Sequence, residues 1–238
     1  MKPEVYRRHI ENFSNHWWFR ARKNIIEESI KNFIKKKKLK ILDFGSGSGV
    51  NIKMLSSFGT VTIYEPENNT FGYLKRKYKN SKSVKFAKIL GNKKFDLIVA
   101  ADVIEHIKND KQIVTKLSKN LNKNGFVLAT VPAFNFLFSK KDLDLHHYRR
   151  YSIKEFKNLF KKFDIIKLSY FNFILFLPIA ITILILKLVK INFIEEVENK
   201  PLNLFNNLFY LLFNLEKKIL KYFDLPFGIS IIGIFKKN

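Results

Sequence analysis

The stretch Ile41–Val50, ILDFGSGSGV, sets an acid, Asp43, ahead of three glycines at alternate positions, Gly45, Gly47 and Gly49. Without side chains a backbone can turn sharply and approach a ligand closely, and the N–H groups that open a following helix then face it. Twenty-two residues after Asp43 a second acid, Glu65, ends the next β-like run, where a carboxylate can accept both hydroxyls of a ribose. Each acid ends an apolar strand pattern, and together they point to a bound nucleoside. A dinucleotide-binding turn would carry Gly or Ala at position 50, where Val50 stands, which argues against a nicotinamide cofactor.

Two other segments concentrate rare residues. NHWWFRARK near the start holds His16, Trp17, Trp18, Phe19, Arg20 and Arg22, and SKKDLDLHHYRRYS holds Ser139, Asp142, His146, His147, Arg149, Arg150 and Tyr151. Only seven of the 44 basic residues are Arg, and six of these seven come in close pairs. Where Lys is the common choice, Arg suggests use of its planar, bidentate fork. The net charge of +24 is spread along a chain rich in Lys, Asn, Ile and Phe, with no basic–aromatic stripe. Nucleic acid is therefore not the expected partner. The absence of cysteine excludes disulfides, thiolate metal sites and a Cys nucleophile. His146 and His147 are sequence neighbours and no carboxylate–His spacing suggests a facial site, so no metal is expected.

The elements that must position these residues alternate. Strand patterns occupy 39–45, 60–66, 83–89, 95–102 and 126–132, with helical stretches at about 49–57, 69–79 and 109–121, the last closed by Asn124-Gly125. Ser152 with Glu155 reads as a capping box for a helix that precedes a strand at 163–171, and a last strand lies at 228–237. The expected division is an N-terminal helical lid, 1–38, a nucleoside-binding domain of residues 39–172 and 227–238, and an apolar helical insertion, 173–226. From Leu168 to Leu186 there are nineteen uncharged residues, but the strand claims the first few and Pro178 interrupts the rest. Two short apolar helices suggest a monotopic hairpin on a membrane surface rather than a span. No apolar leader segment opens the chain, so a cytoplasmic protein, peripheral or monotopic on the inner membrane face, is expected.

These residues, together with FDLIVAADVIEHI, NKNGFVLATVPA and GISIIGIFKK, resemble the class I S-adenosylmethionine-dependent methyltransferases. The resemblance implies an α/β, Rossmann-like sheet of seven strands, mostly parallel, whose last strand is antiparallel and inserts between the fifth and sixth. It implies S-adenosyl-L-methionine as cofactor, with Asp43, Gly45, Ser46 and Gly47 at its methionine end, Glu65 on the ribose and Asp102 near the sulfonium. The acid that such enzymes often carry after the third strand is replaced here by Ala87-Lys88. The segments around Trp18 and His147 are similar to one branch of the family, associated with envelope polysaccharides and lipids. On this reading Trp18 closes over the cofactor and Arg22 clamps its carboxylate. His147, oriented by Asp142, is the general base, with His106 second, and Arg149, Arg150 and Tyr151 bind the acceptor. The acceptor is a small-molecule, lipid-linked or glycan nucleophile. Two alternatives are a quinone-type O-methyltransferase and a non-catalytic cofactor-binding adaptor at the membrane.

Overall fold

The computed structural model describes residues 15–188 and 203–238. Part of the expected lid (1–14) and the middle of the insertion (189–202) lie outside the described residues. The chain runs α1 (Trp17–Phe33), β1 (Leu39–Phe44), α2 (Ile52–Ser56), β2 (Gly59–Tyr64), α3 (Asn68–Lys77), β3 (Val84–Ala87), β4 (Phe95–Ala101), α4 (Asp110–Lys119) and β5 (Leu121–Pro132). It continues with α5 (Lys140–Asp144), α6 (Ile153–Leu159), β6 (Asp164–Phe171), α7 (Phe176–Leu188), α8 (Asn203–Ile219) and β7 (Ser230–Lys236). Short 3-10 turns at Ile104–His106 and Asn135–Leu137 follow β4 and β5.

The strands form one seven-stranded sheet in the order β3-β2-β1-β4-β5-β7-β6. β7 runs antiparallel to both β5 and β6, and the other pairings are parallel. The expected Rossmann-like α/β sheet is thus present, with the last strand inserted where the resemblance placed it. Central β4 reads FDLIVAA and its first six residues are buried, the near-continuous apolar pattern of a strand covered on both faces. The chain order reverses between β1 and β4, which opens a crevice at the carboxyl ends of these strands.

One local expectation is corrected. The fourth helix ends at Lys119, with Asn120 as its C-cap, and Asn124-Gly125 lie inside β5 instead. Asn120 is held because its side-chain amide donates to the carbonyls of Gly91 (2.9 Å) and Lys93 (2.8 Å). Asn124 adopts φ +61° and its N–H donates to Lys237 O (3.1 Å), beside the register shift between β4 and β5. A turn-forming dipeptide in sequence therefore marks an irregularity of the sheet.

Helix α1 shows why its sequence folds as it does. The His16 side chain accepts from the Trp18 N–H, and Ala21, Ile25, Ile26 and Ile30 form the buried stripe of an amphipathic helix. The tryptophans at its start pack on α8: Trp17 lies edge-on to Phe209 and Phe213, and Trp18 lies on Phe213 and Phe171. Asn206 accepts from the Trp17 N–H (2.8 Å), and Asn24 donates to Asn214 (2.9 Å). Phe213, Leu220 and Leu225 belong to the main hydrophobic core. Glu216, with no exposed surface, accepts from the N–H groups of Phe173 (2.8 Å) and Ile174 (3.0 Å). One face of α8 and the residues after it are therefore packed into the body of the protein. Among the described residues no helix is long and apolar enough to cross a membrane.

Candidate active site

The glycine turn follows β1 and holds its shape through backbone bonds. Gly45 N–H donates to Tyr64 O (2.8 Å), Gly49 N–H to Ser46 O (2.9 Å), and the Ser46 hydroxyl to Asp43 O (2.9 Å). Gly45, Gly47 and Gly49 take φ of +73°, +52° and +76°, the left-handed region that costs other residues about 1–2 kcal/mol. A Cβ on Gly45 would stand 2.8 Å from both Val103 methyls, whereas one on Gly47 would meet nothing within 4 Å. The first glycine is thus needed for packing, and the second fronts open space.

Glu65, just past β2, lies 7% exposed and accepts from Gly47 N–H (2.8 Å) and Glu67 N–H (3.0 Å). Burial pushes its carboxyl above the ordinary value, and these two backbone bonds oppose the shift. A carboxylate has about four acceptor sites, so two remain for hydroxyl groups. Asp43, 3% exposed, has an Oδ2 with no partner, and burial raises it to about 7. An orphaned buried carboxylate oxygen behind an open glycine turn fits a cationic, hydroxyl-bearing ligand such as S-adenosylmethionine. Where the family often has an acid after β3, Lys88 donates instead to Glu65 O (3.2 Å), Pro66 O (3.1 Å) and Asn68 (2.8 Å). A cavity of about 650 Å³ lies beside Tyr64, Lys88 and Ile89.

Asp102 directly follows β4 with φ +55° and is held by Thr130, whose hydroxyl donates to its Oδ1 (2.6 Å). Its other oxygen pairs with the Arg22 guanidinium from α1. Arg22 is buried, which lowers it to about 10 while nearby Glu105 and Asp43 oppose the shift. The structure therefore places Arg22 on Asp102, latching α1 over the end of β4, and places Trp18 against Phe171 and Phe213.

On the other side of the crevice, Ser139 and Asp142 form the capping box of α5. Asp142 is 1% exposed and gathers the whole segment: it accepts from Ser139 N–H (2.9 Å), from Arg150 through Nε (2.9 Å) and Nη2 (3.0 Å), and faces His147 Nδ1 at 2.9 Å. Burial alone would raise this carboxyl, but the His147 bond and Arg150 overcome it and hold it near 2. An ionised carboxylate only accepts, so His147 Nδ1 carries the proton and Nε2 is left as a base or ligand. The His106 ring stands edge-on to it with centroids 4.5 Å apart. His106 is lowered to about 4, first by burial and then by His147.

The residues expected at the acceptor are placed differently from one another. Arg150 is buried with both arms of its fork on Asp142. Arg149 donates to Asp110 (2.9 Å) and Lys108 O (2.7 Å), and the Tyr151 hydroxyl donates to the same Asp110 oxygen (2.9 Å). Arg149 and Tyr151 tie the segment to the start of α4, beside a cavity of about 310 Å³ that they line with Arg150 and Glu155. Sequence reasoning passed over Glu105. It has no exposed surface, neither carboxylate oxygen has a hydrogen-bond partner, and burial raises it to about 8. Its adjacency to His106 was visible, but its burial was not.

The family profile described as "Methyltransferase domain" matches residues 16–167. A ubiquinone biosynthesis O-methyltransferase of Rickettsia canadensis is 26% identical over 147 residues, covering 50% of this chain and 59% of that one. Its counterpart in Rickettsia typhi is 27% identical over 146 residues, covering 50% and 56%. The chain thus spans less than two thirds of the length of these curated relatives. Among solved structures, the N-methyltransferase NodS of Bradyrhizobium japonicum, in complex with S-adenosylhomocysteine, superposes with a TM-score of 0.60 at 10% identity, covering 98% of this chain and 97% of that one. Coclaurine N-methyltransferase, bound to N-methylheliamine and S-adenosylhomocysteine, gives 0.57 at 14% identity, covering 90% and 70%. At such identities the structures attest the fold, and the profile, which spans well over half of the sequence, attests the family. With a seven-stranded sheet, a glycine turn and a buried acid at the end of each of its first two strands, the chain belongs to the methyltransferase-domain family and carries its class I, Rossmann-like fold.

Proposed function

We propose that the chain methylates an oxygen of a small-molecule or lipid-linked acceptor at the surface of a membrane. The observation that carries this reading is the Asp142–His147–His106 arrangement, on the segments that follow β4 and β5, at the same edge of the sheet as the glycine turn. When bound, the cofactor supplies an electrophilic methyl group on its sulfonium. This chain's own task is to orient the acceptor, exclude water and manage the acceptor's proton. Asp142 fixes the His147 tautomer, so Nε2 is the atom that takes this proton. Asp43 and Glu65 hold the cofactor's cationic and ribose ends, and Arg22, fixed on Asp102, keeps α1 closed over that end of the cleft. The Rickettsia relatives, by name ubiquinone biosynthesis O-methyltransferases, favour a hydroxyl acceptor with an apolar body, a quinol precursor among them.

The membrane part rests on exposed apolar side chains of the insertion: Leu177, Ile181 and Leu188 on α7, and Leu204, Leu211 and Leu215 on α8. Nearby lysines, Lys187, Lys217, Lys218 and Lys221, suit an anionic leaflet. Methyl-labelled S-adenosylmethionine, incubated with the protein and anionic vesicles made from a total bacterial lipid extract, should carry label into the organic phase. His147→Ala should reduce that rate by about 10²–10⁴-fold, with cofactor affinity unchanged. Label transfer that survives His147→Ala removes the proton-handling role. Failure of the protein to sediment with anionic vesicles removes the membrane part.

A further inference from the structure

We infer that Glu105, His106 and His147 form a binding site for a first-row divalent cation, with two imidazole nitrogens and one carboxylate as ligands. The inference rests on the proposed function, because the cluster includes the histidine assigned there to the acceptor's proton. Ligand atoms of the three side chains all lie within 4.8 Å of one another, so small side-chain rotations bring them to the separations that a single ion requires. Glu105 is buried, with both carboxylate oxygens unpartnered, beneath two half-buried imidazoles. A carboxylate so placed is normally paired or metal-bound. Arg22 and Arg150 act on Glu105 by charge alone and give it no hydrogen bond: Arg22 bonds Asp102 through Nη1, its Nε buried and unpartnered, and Arg150 has its fork on Asp142.

The surroundings of the ligands point the same way. Metal-binding histidines usually give their second nitrogen to a carboxylate or a backbone carbonyl, which fixes the ring and its tautomer. His147 gives Nδ1 to Asp142, itself anchored by Arg150 and Ser139. His147 therefore has one nitrogen held and Nε2 available, and the His106 ring stands edge-on to it with centroids 4.5 Å apart. Two His and one carboxylate on one side of an ion leave positions open, a donor set that suits Zn²⁺, Mn²⁺ or Fe²⁺ better than Mg²⁺ or Ca²⁺. A cation held by these residues would make an acceptor hydroxyl on an open position more acidic and would stand in for a free His147 Nε2, the proton passing to solvent.

The test uses tag-free, full-length protein stripped with chelator and titrated with Co²⁺, read by visible absorption, and with Zn²⁺, read by calorimetry, without cofactor or acceptor. We expect one ion per chain. His106→Ala and Glu105→Gln should each weaken binding by at least tenfold, and Asp142→Asn by about tenfold through loss of ring orientation. His146→Ala, on the exposed neighbour, should bind as the parent does. If Glu105→Gln does not fold, the half-exposed His106→Ala carries the same comparison. Absence of one-to-one binding, or binding unchanged in His106→Ala, overturns the inference. Label transfer that persists in excess chelator would do so too, while leaving methyl transfer through a metal-free His147 intact. Metal binding without any methyl transfer would instead retire the proposed function and keep the site.

Discussion

On the cofactor side of the crevice, the chain builds its site from neighbours in sequence. Gly47 N–H meets Glu65 across two adjacent parallel strands, and the glycine turn closes on its own carbonyls and on Tyr64. On the proposed acceptor side, almost every contact joins side chains from separate segments: Arg150 to Asp142, Arg149 to Asp110 and His106 against His147. One half is a backbone device that tolerates little change in conformation. The other is a network of buried charges, where removing a single partner strands the rest. The halves should therefore fail in different ways.

The largest effect is expected from Arg150→Met. It leaves Asp142 buried without its bidentate partner, at a cost of about 3–5 kcal/mol. In a chain of this size that corresponds to a fall in Tm of roughly 10 °C, measurable by calorimetry. Cofactor affinity at low temperature should stay within about threefold, because the two sites share no contact. Gly45→Ala should do the reverse. Its Cβ would sit 2.8 Å from the Val103 methyls at φ +73°, so the turn must shift, and cofactor affinity should drop by about 10–100-fold. Gly47→Ala has φ +52° but open space, so only the conformational cost remains, and its loss should be the smaller of the two. Equal losses at both glycines would show that packing against Val103 does not set the turn.

The same division explains what could be read without coordinates. The strand patterns, the order of elements and the antiparallel last strand follow from apolar runs and the family resemblance. Asp43, Gly45, Gly47 and Glu65 follow from a spacing that parallel strands impose. The Asp142–His147 contact was also legible, since both lie within one short helical turn and the loop after it. What could not be read is whatever depends on burial or on contacts distant in sequence. Arg22 lies 80 residues from Asp102. Glu105 looks like any solvated acid until the fold covers it. Trp17 and Trp18 needed α8, nearly 190 residues away, to become part of the core. Asn124-Gly125 shows the converse error: a strong local turn signal lost to the pairing of β5 with its neighbours.

The smallest expected effect sharpens the cofactor half, and its sign can be worked out. Burial raises Asp43 to about 7, with Ser46 and Arg22 pulling it back. In the unliganded protein this group favours folding most fully below the ordinary carboxylate range, and that contribution is lost as pH rises from there through about 7. The cofactor reverses the balance. Its positive charges favour the ionised carboxylate, whose Oδ2 has no protein partner, so binding should release a proton. Affinity should then rise about eightfold between pH 6 and 7.5, following the ionised fraction, and flatten above that. Titration calorimetry in buffers of different ionisation heat would report the released proton directly, and Asp43→Asn should bind more weakly with no rise over this range. A flat profile in the parent protein would mean that Asp43 is already ionised before the cofactor arrives. The orphaned oxygen would then have to be satisfied by solvent entering the crevice, and the cofactor half would be less dry than its burial indicates.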